Sequence, residues 1–107
     1  MSTLCLLEDV LKSLKNEFMD SVSAKDIARD ARRGGIITGK VKGDIRDATD
    51  QRSANDHMYE HLCSQATEET MRKLCRIMKD AKGHAKMNGF GETLEAELDK
   101  VSIQLYH

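Results

Sequence analysis

Ser23-Ala24-Lys25-Asp26-Ile27-Ala28-Arg29-Asp30-Ala31-Arg32-Arg33-Gly34-Gly35-Ile36-Ile37-Thr38 reads as a short helix, a stop and the start of a second helix. Ser23 with Asp26 three residues later has the spacing of a capping box, with Asp in place of the usual Glu. The helix then runs from Ala24 to Arg33 and buries Ile27, Ala28 and Ala31. Gly34-Gly35 stops it, because glycine tolerates the left-handed backbone at a helix C-terminus. Thr38 is a good N-cap for the next helix, and Ile37 in front of it can act as a staple.

Outward from this corner, apolar residues recur at helical spacing in both directions. Upstream, Leu4, Leu7, Leu11, Leu14, Phe18 and Val22 fall at intervals of three and four and predict one amphipathic helix from about Leu4 to Val22. Downstream, Gly39 to about Ala48 predicts a third helix with Val41, Ile45 and Ala48 inward. Gly39 and Gly43 each weaken it by up to about 1 kcal/mol relative to alanine. Thr49 or Asp50 caps a fourth helix reaching about Ser64, with Ala54, Met58, Leu62 and Tyr59 toward the core. Thr67-Glu68-Glu69-Thr70 opens a fifth, with Met71, Leu74, Cys75 and Met78 as its stripe, acidic residues favourably placed in its first turn, and Gly83 at its end. His84 to Gly91 holds two glycines and an asparagine and reads as a loop, with Met87 and Phe90 plugging the core. A sixth helix from about Glu92 to Val101 buries Leu94, Leu98 and Val101. Six helices with short connections predict an all-α antiparallel bundle in one domain spanning 1–107, its core lying within about 4–101.

The totals agree with that reading. Proline is absent and aromatic residues are few, which favours uninterrupted helix and disfavours sheet. Net charge is −1, so the balance is not that of a basic nucleic-acid or anionic-membrane binder. Cys5, Cys63 and Cys75 are odd in number and widely spaced, so they read as reduced core cysteines of a cytoplasmic protein and not as a disulfide framework. Glu8 and Asp9 stand where a signal peptide would be apolar, and no apolar run is long enough to span a bilayer.

The segment from Ser23 to Thr38 resembles helix two and the following turn of caspase recruitment domains: a short helix ending in glycine, then an apolar pair, then a threonine capping helix three. Asp47 to Leu62, with Arg52, is similar to the family's helix four, and Met71 to Met78 and Thr93 to Leu98 fall where helices five and six stand. The resemblance covers about Leu4 to Val101. It implies a six-helix Greek-key bundle of the death-domain superfamily, with no catalytic site and no cofactor, that binds another copy of the same fold in apoptotic or innate-immune signalling. Some such domains polymerise into helical filaments. Gly39, Gly43 and the glycine-rich stretch before helix six depart from the pattern and keep a death domain or death effector domain as alternatives.

Charge is segregated along the chain. Residues 23–46 carry net +4, 47–70 net −5, 71–87 net +5 and 88–107 net −3. Oppositely charged faces set register and encounter rate in docking, and a head-to-tail contact need not close on itself. In the family, helices two and three of one copy commonly meet helices one and four of another; in some known pairs helices two and three supply the acidic face. Here the candidate partner-binding residues are Arg29, Arg32, Arg33, Lys40, Lys42 and Arg46 on one side, and Glu8, Asp9, Glu17, Asp56 and Glu60 on the other. Arg29, Arg32, Arg33 and Lys40 against Asp56 and Glu60 form the centre of the expected contact.

Three rival chemistries have weaker support. His57 and His61 share a helical face near Cys63 and Cys75, but the segment lacks a CxxC and has Met58 where a zinc-protease HExxH motif has Glu. Neither Cys63 nor Cys75 is flanked by a nucleophile signature. Arg29 to Arg46 spans a helix-turn-helix-like unit in which Lys40, Lys42 and Arg46 could touch phosphate, making a nucleic-acid-binding domain the alternative function. The acidic blocks oppose it. No metal, membrane or nucleic-acid partner is therefore expected.

Overall fold

The computed structural model describes residues 3–65 and 67–105, with side chains over 7–65 and 67–101. Among the described residues the chain forms seven helices and no strand: α1 Thr3–Ser13, α2 Lys15–Ser21, α3 Ala24–Arg33, α4 Gly39–Asp47, α5 Gln51–Gln65, α6 Glu68–Asp80 and α7 Ala85–Leu105. The expected six-helix Greek-key bundle is thus corrected to a seven-helix all-α bundle. The expectations for Leu4 and Cys5 in the core, and for the end of the chain beyond Val101, lie outside the described side chains.

The extra helix arises at Leu14. Ser13 Oγ donates to the Val10 carbonyl at 2.8 Å, and the Leu14 N–H is shared between Val10 O and Leu11 O, each at 3.2 Å. A serine hydroxyl that competes for an upstream carbonyl bends a helix. Leu14 accordingly leaves helical geometry (φ −105°, ψ 10°) before α2 restarts. Leu7, Leu11, Leu14, Phe18 and Val22 are nevertheless all buried. The apolar spacing runs through the break, so periodicity reads one helix where the backbone makes two.

A second correction concerns His84 to Gly91. Except for His84 this stretch is the first two turns of α7. Its loop-like residues have helical tasks. Asn88 Nδ2 donates to the carbonyls of Met78, Lys79 and Ala81 at 2.6, 3.2 and 2.9 Å, capping the C-terminus of α6, where Met78 O also accepts from Ala81 N–H at 3.4 Å. Gly91 is buried against α6: a Cβ there would lie 3.1 Å from Cys75 O and 3.2 Å from Lys79 N. Gly91 therefore lets the two helices approach closely, and Met87, Phe90, Leu94 and Leu98 close the seam. The sharp turn before α7 sits at Gly83, with φ +78°.

The α3–α4 corner follows the sequence. Ile36 N–H donates to Ala31 O at 2.9 Å and Gly35 N–H to Arg32 O at 3.2 Å, a Schellman motif with Gly35 at φ +74°. Thr38 Oγ1 accepts from Val41 N–H at 3.2 Å. Ile36 and Ile37 are both buried. Asp50, not Thr49, caps α5: its carboxylate accepts from Ser53 N–H at 2.7 Å. That bond, aided by Lys25 and Arg52, holds the Asp50 carboxyl below its usual range. Thr67 and Thr70 cap α6 reciprocally.

At Ser23 the expected capping box is not made. Its hydroxyl donates instead to Asp26 Oδ2 at 2.6 Å. The task of capping passes to Asn55, a fully buried polar residue in the middle of α5. Asn55 Oδ1 accepts from Ala24 N–H at 2.9 Å, and Nδ2 donates to Met19 O at 3.1 Å and Val22 O at 2.7 Å. One side chain thereby ties the end of α2 and the start of α3 to α5. Gln51 Nε2 adds a bond to Val22 O at 2.9 Å. Beside this network, Phe18 stands edge-on to both Tyr59 and Phe90, with centroids 5.6 and 5.8 Å away, and joins α2, α5 and α7. Met58, Met71 and Met78 are wholly buried, as the spacing predicts.

Asn55→Leu leaves Ala24 N–H and Met19 O without the partners Asn55 gave them, while Val22 O keeps Gln51; at roughly 1–3 kcal/mol for each orphaned group, the domain is expected to lose about 2 kcal/mol or more. Urea unfolding followed by circular dichroism reads this, and a midpoint close to wild type would show that Asn55 is not the organising contact. The α7 glycines separate in the same assay. Gly89 faces open space, so Gly89→Ala is expected to stabilise by roughly 0.5–1 kcal/mol. Gly91→Ala meets backbone and is expected to cost roughly 1–3 kcal/mol.

Candidate interaction faces

α3 buries Ala24, Ile27, Ala28 and Ala31, which leaves Arg29 on its outward face. At about 100° per residue, Arg32 and Arg33 lie about 60° and 40° to either side of it. All three are exposed. Arg32 leans over the start of α4, its Nε 3.6 Å from where a Gly39 Cβ would be. Lys40 is exposed on α4 and Lys42 half-buried. Among the described residues none of these five cations forms an ion pair. Arg46 does, with Asp47 at 3.2 Å, so its charge is partly neutralised within the chain. The structure thus brings Arg29, Arg32, Arg33 and Lys40 onto adjoining helices and sets Arg46 apart from them in kind.

The acidic candidates divide likewise. Glu8 on α1 and Asp56 and Glu60 on α5 line one groove of about 430 Å³, together with Lys15, Tyr59, Cys63 and Ser64. Asp56 also borders a second depression of about 360 Å³ with Met19, Asp50, Arg52 and Ser53. Asp9 and Glu17 are exposed but line neither. Glu8 is paired with Lys12 at 3.2 Å, whereas Asp56 and Glu60 have no ion partner among the described residues. The floor of the groove is Tyr59, only 5% exposed. Burial first, then the neighbouring Cys63 thiol, pushes its phenol above the ordinary value, so it stays protonated and neutral. The ammonium of Lys15 lies 5.4 Å from the centre of the Tyr59 ring. Lys15 and Tyr59 are the residues of this face that charge counting passes over. Their signal in the sequence is the spacing Asp56-Tyr59-Glu60-Cys63, one side of α5.

The other two charge blocks meet each other inside the molecule. α7 packs along α6, and there Arg72 pairs with Asp99 at 2.6 Å and Lys79 with Glu95 at 3.0 Å. Lys73 and Arg72 also reach back to Glu69 and Glu68. Two cations of the basic 71–87 segment are thus paired with the acidic 88–107 segment. Between the 23–46 and 47–70 segments the ion pair among the described residues is Arg46 with Asp47.

A further groove of about 480 Å³ runs between α3 and α6, with Asp26, Asp30 and Asp80 facing Arg76, Lys82 and His84 over Ile27, Ile77 and Ala81. Its signs are mixed, and His84 Nε2 already lies 3.3 Å from Asp26 Oδ2. His57 is exposed and His61 half-buried, and no group of three or more His, Cys, Asp or Glu side chains that could hold a metal occurs among the described residues. Among those residues, no helix is long and apolar enough to cross a membrane. Cys75 is buried, and desolvation pushes its thiol up to about 12; Cys63 is half-buried at the acidic groove. The chain matches no family model, no curated protein and no solved structure with which it was compared.

A thiol held so high stays protonated at neutral pH and is a poor nucleophile. In the native protein at pH 7.5, iodoacetamide is expected to leave Cys75 unmodified until the protein unfolds, as mapped by peptide mass spectrometry; early labelling of Cys75 would contradict its burial.

Proposed function

We propose that the chain is a homotypic protein–protein interaction module that docks the α3–α4 face of one copy onto the α1–α5 face of the next. One observation carries the reading. Arg29, Arg32, Arg33 and Lys40 have no ion partner among the described residues, and neither have Asp56 and Glu60. Asp56 is half-buried, and the rest of this set is exposed. The two faces are opposite in sign and lie on different helices, so the contact is heterologous and repeats as an open helical filament unless its rotation closes a ring. Exposed ion pairs contribute only about 0–1 kcal/mol each, so several must act together, and the association is weakened by salt. The resemblance of Ser23 to Thr38 to caspase recruitment domains supports a cytoplasmic role in recruiting or oligomerising partners of that family in apoptotic or innate-immune signalling.

Light-scattering mass and negative-stain imaging at low and high salt test this. Wild type is expected to form salt-sensitive oligomers or filaments. Arg29→Glu/Arg32→Glu removes one face, and Asp56→Arg/Glu60→Arg removes the other, so each variant alone is expected to be a helical monomer. Each retains one intact face, and the two reversed faces are again opposite in sign, so their mixture is expected to recover salt-sensitive association. Wild type that stays monomeric at every salt concentration would overturn self-docking. Because surface changes away from structural features cost within about 0.5 kcal/mol, Arg29→Glu/Arg32→Glu is also expected to keep the wild-type melting temperature.

A further inference from the structure

The α1–α5 groove holds a cation of its own. Lys15 is exposed, makes no ion pair among the described residues, and places its ammonium 5.4 Å from the Tyr59 ring centre, in a groove rimmed by Glu8, Asp56 and Glu60. A neutral aromatic face attracts a cation through its quadrupole, and a guanidinium does so better than an ammonium because it stacks and is more weakly hydrated. It also offers a planar fork of donors that matches carboxylates on either side of a ring. The groove, at about 430 Å³, exceeds what one lysine tip fills. The α3 face of a second copy carries three arginines that have no ion partner among the described residues.

We propose that this groove receives one arginine of the α3 face of a second copy, stacked on Tyr59 between Asp56 and Glu60, and that Lys15 is the internal competitor it displaces. The inference rests on the homotypic reading above and adds to it a restraint. In the free protein Lys15 offsets part of the groove's negative charge and covers the ring, so self-association is weaker than the two faces would otherwise allow. It also assigns Tyr59, and not only the rim carboxylates, a role in recognition.

Two measurements test it. The first is the self-association constant by sedimentation at fixed low salt. Lys15→Gln is expected to associate more tightly than wild type by roughly two- to fivefold, the factor that one exposed cation–π contact supplies. Lys100→Gln changes net charge equally at a residue that does not line the groove and is expected to match wild type. The second uses the assembly-deficient Arg29→Glu/Arg32→Glu protein with Tyr106→Phe, in which Tyr59 is the single remaining tyrosine and there is no tryptophan. Titration with N-acetyl-arginine amide is expected to shift the Tyr59 ring resonances, more strongly when Lys15→Gln is added, and not when Glu60→Lys and Asp56→Asn are added. If self-association occurs but Lys15→Gln equals Lys100→Gln and the probe leaves Tyr59 unmoved, the groove proposal falls and the homotypic reading stands. If the probe shifts Tyr59 but no protein self-associates, the arginine groove stands and the second copy as its occupant is overturned.

Discussion

The bundle depends on the three hydrogen bonds of Asn55. A fully buried amide is costly unless each of its polar atoms finds a partner, and here both do. The carbonyls of Met19 and Val22 and the N–H of Ala24 lie where one helix ends and the next begins, so all three lack the partners a continuous helix would provide. Asn55 gives these orphans a partner in the core and so fixes the angle between α2 and α3. That angle sets the direction of the α3 arginines relative to α5, from which Asn55 projects inward and Asp56 and Glu60 project outward. Core and surface are thus held in register by one side chain.

The second constraint is the close pairing of α6 with α7. Gly91 removes the side chain that would keep the helices apart, and Asn88 supplies donors to the carbonyls at the end of α6. With the backbones this close, Arg72 meets Asp99 and Lys79 meets Glu95. These pairs are half-exposed and add little stability individually. Their consequence is electrostatic: each offsets one cation of α6 with one carboxylate of α7. The charges on α3–α4 and α1–α5 stay on separate surfaces. In a chain of nearly zero net charge, that leaves a molecule with two unlike faces, the arrangement that head-to-tail association uses.

Within the acidic face, charge alone does not describe the site. Glu8, Asp56 and Glu60 come from two helices and converge around the edge of a buried phenol ring. Lys15 sits over that ring because α2 restarts after the break at Leu14 and packs beside α5. A straight helix from Leu4 to Val22 would carry Lys15 along another line. The serine hydroxyl that bends the chain at Ser13 therefore bears on how the groove is filled.

Local physics was readable from the residues. The helical class, the Gly35 stop, the Thr38 and Thr67 caps and nearly every described core position follow from spacing and from what each side chain can do to its own backbone. The segregation of charge is likewise a property of the sequence, because charged side chains stay where the chain puts them. What only the tertiary structure decided depends on a distant partner. Asn55 looks like a surface residue until the orphaned groups of α2 and α3 arrive beside it, and Asn88-Gly89-Phe90-Gly91 looks like a loop until α6 rewards a small residue and a donor there. The helix break at Leu14 leaves the apolar period untouched and so is silent in it. The same holds for the charges: their signs belong to the sequence, but which of them cancel within the molecule was settled by α6 packing on α7.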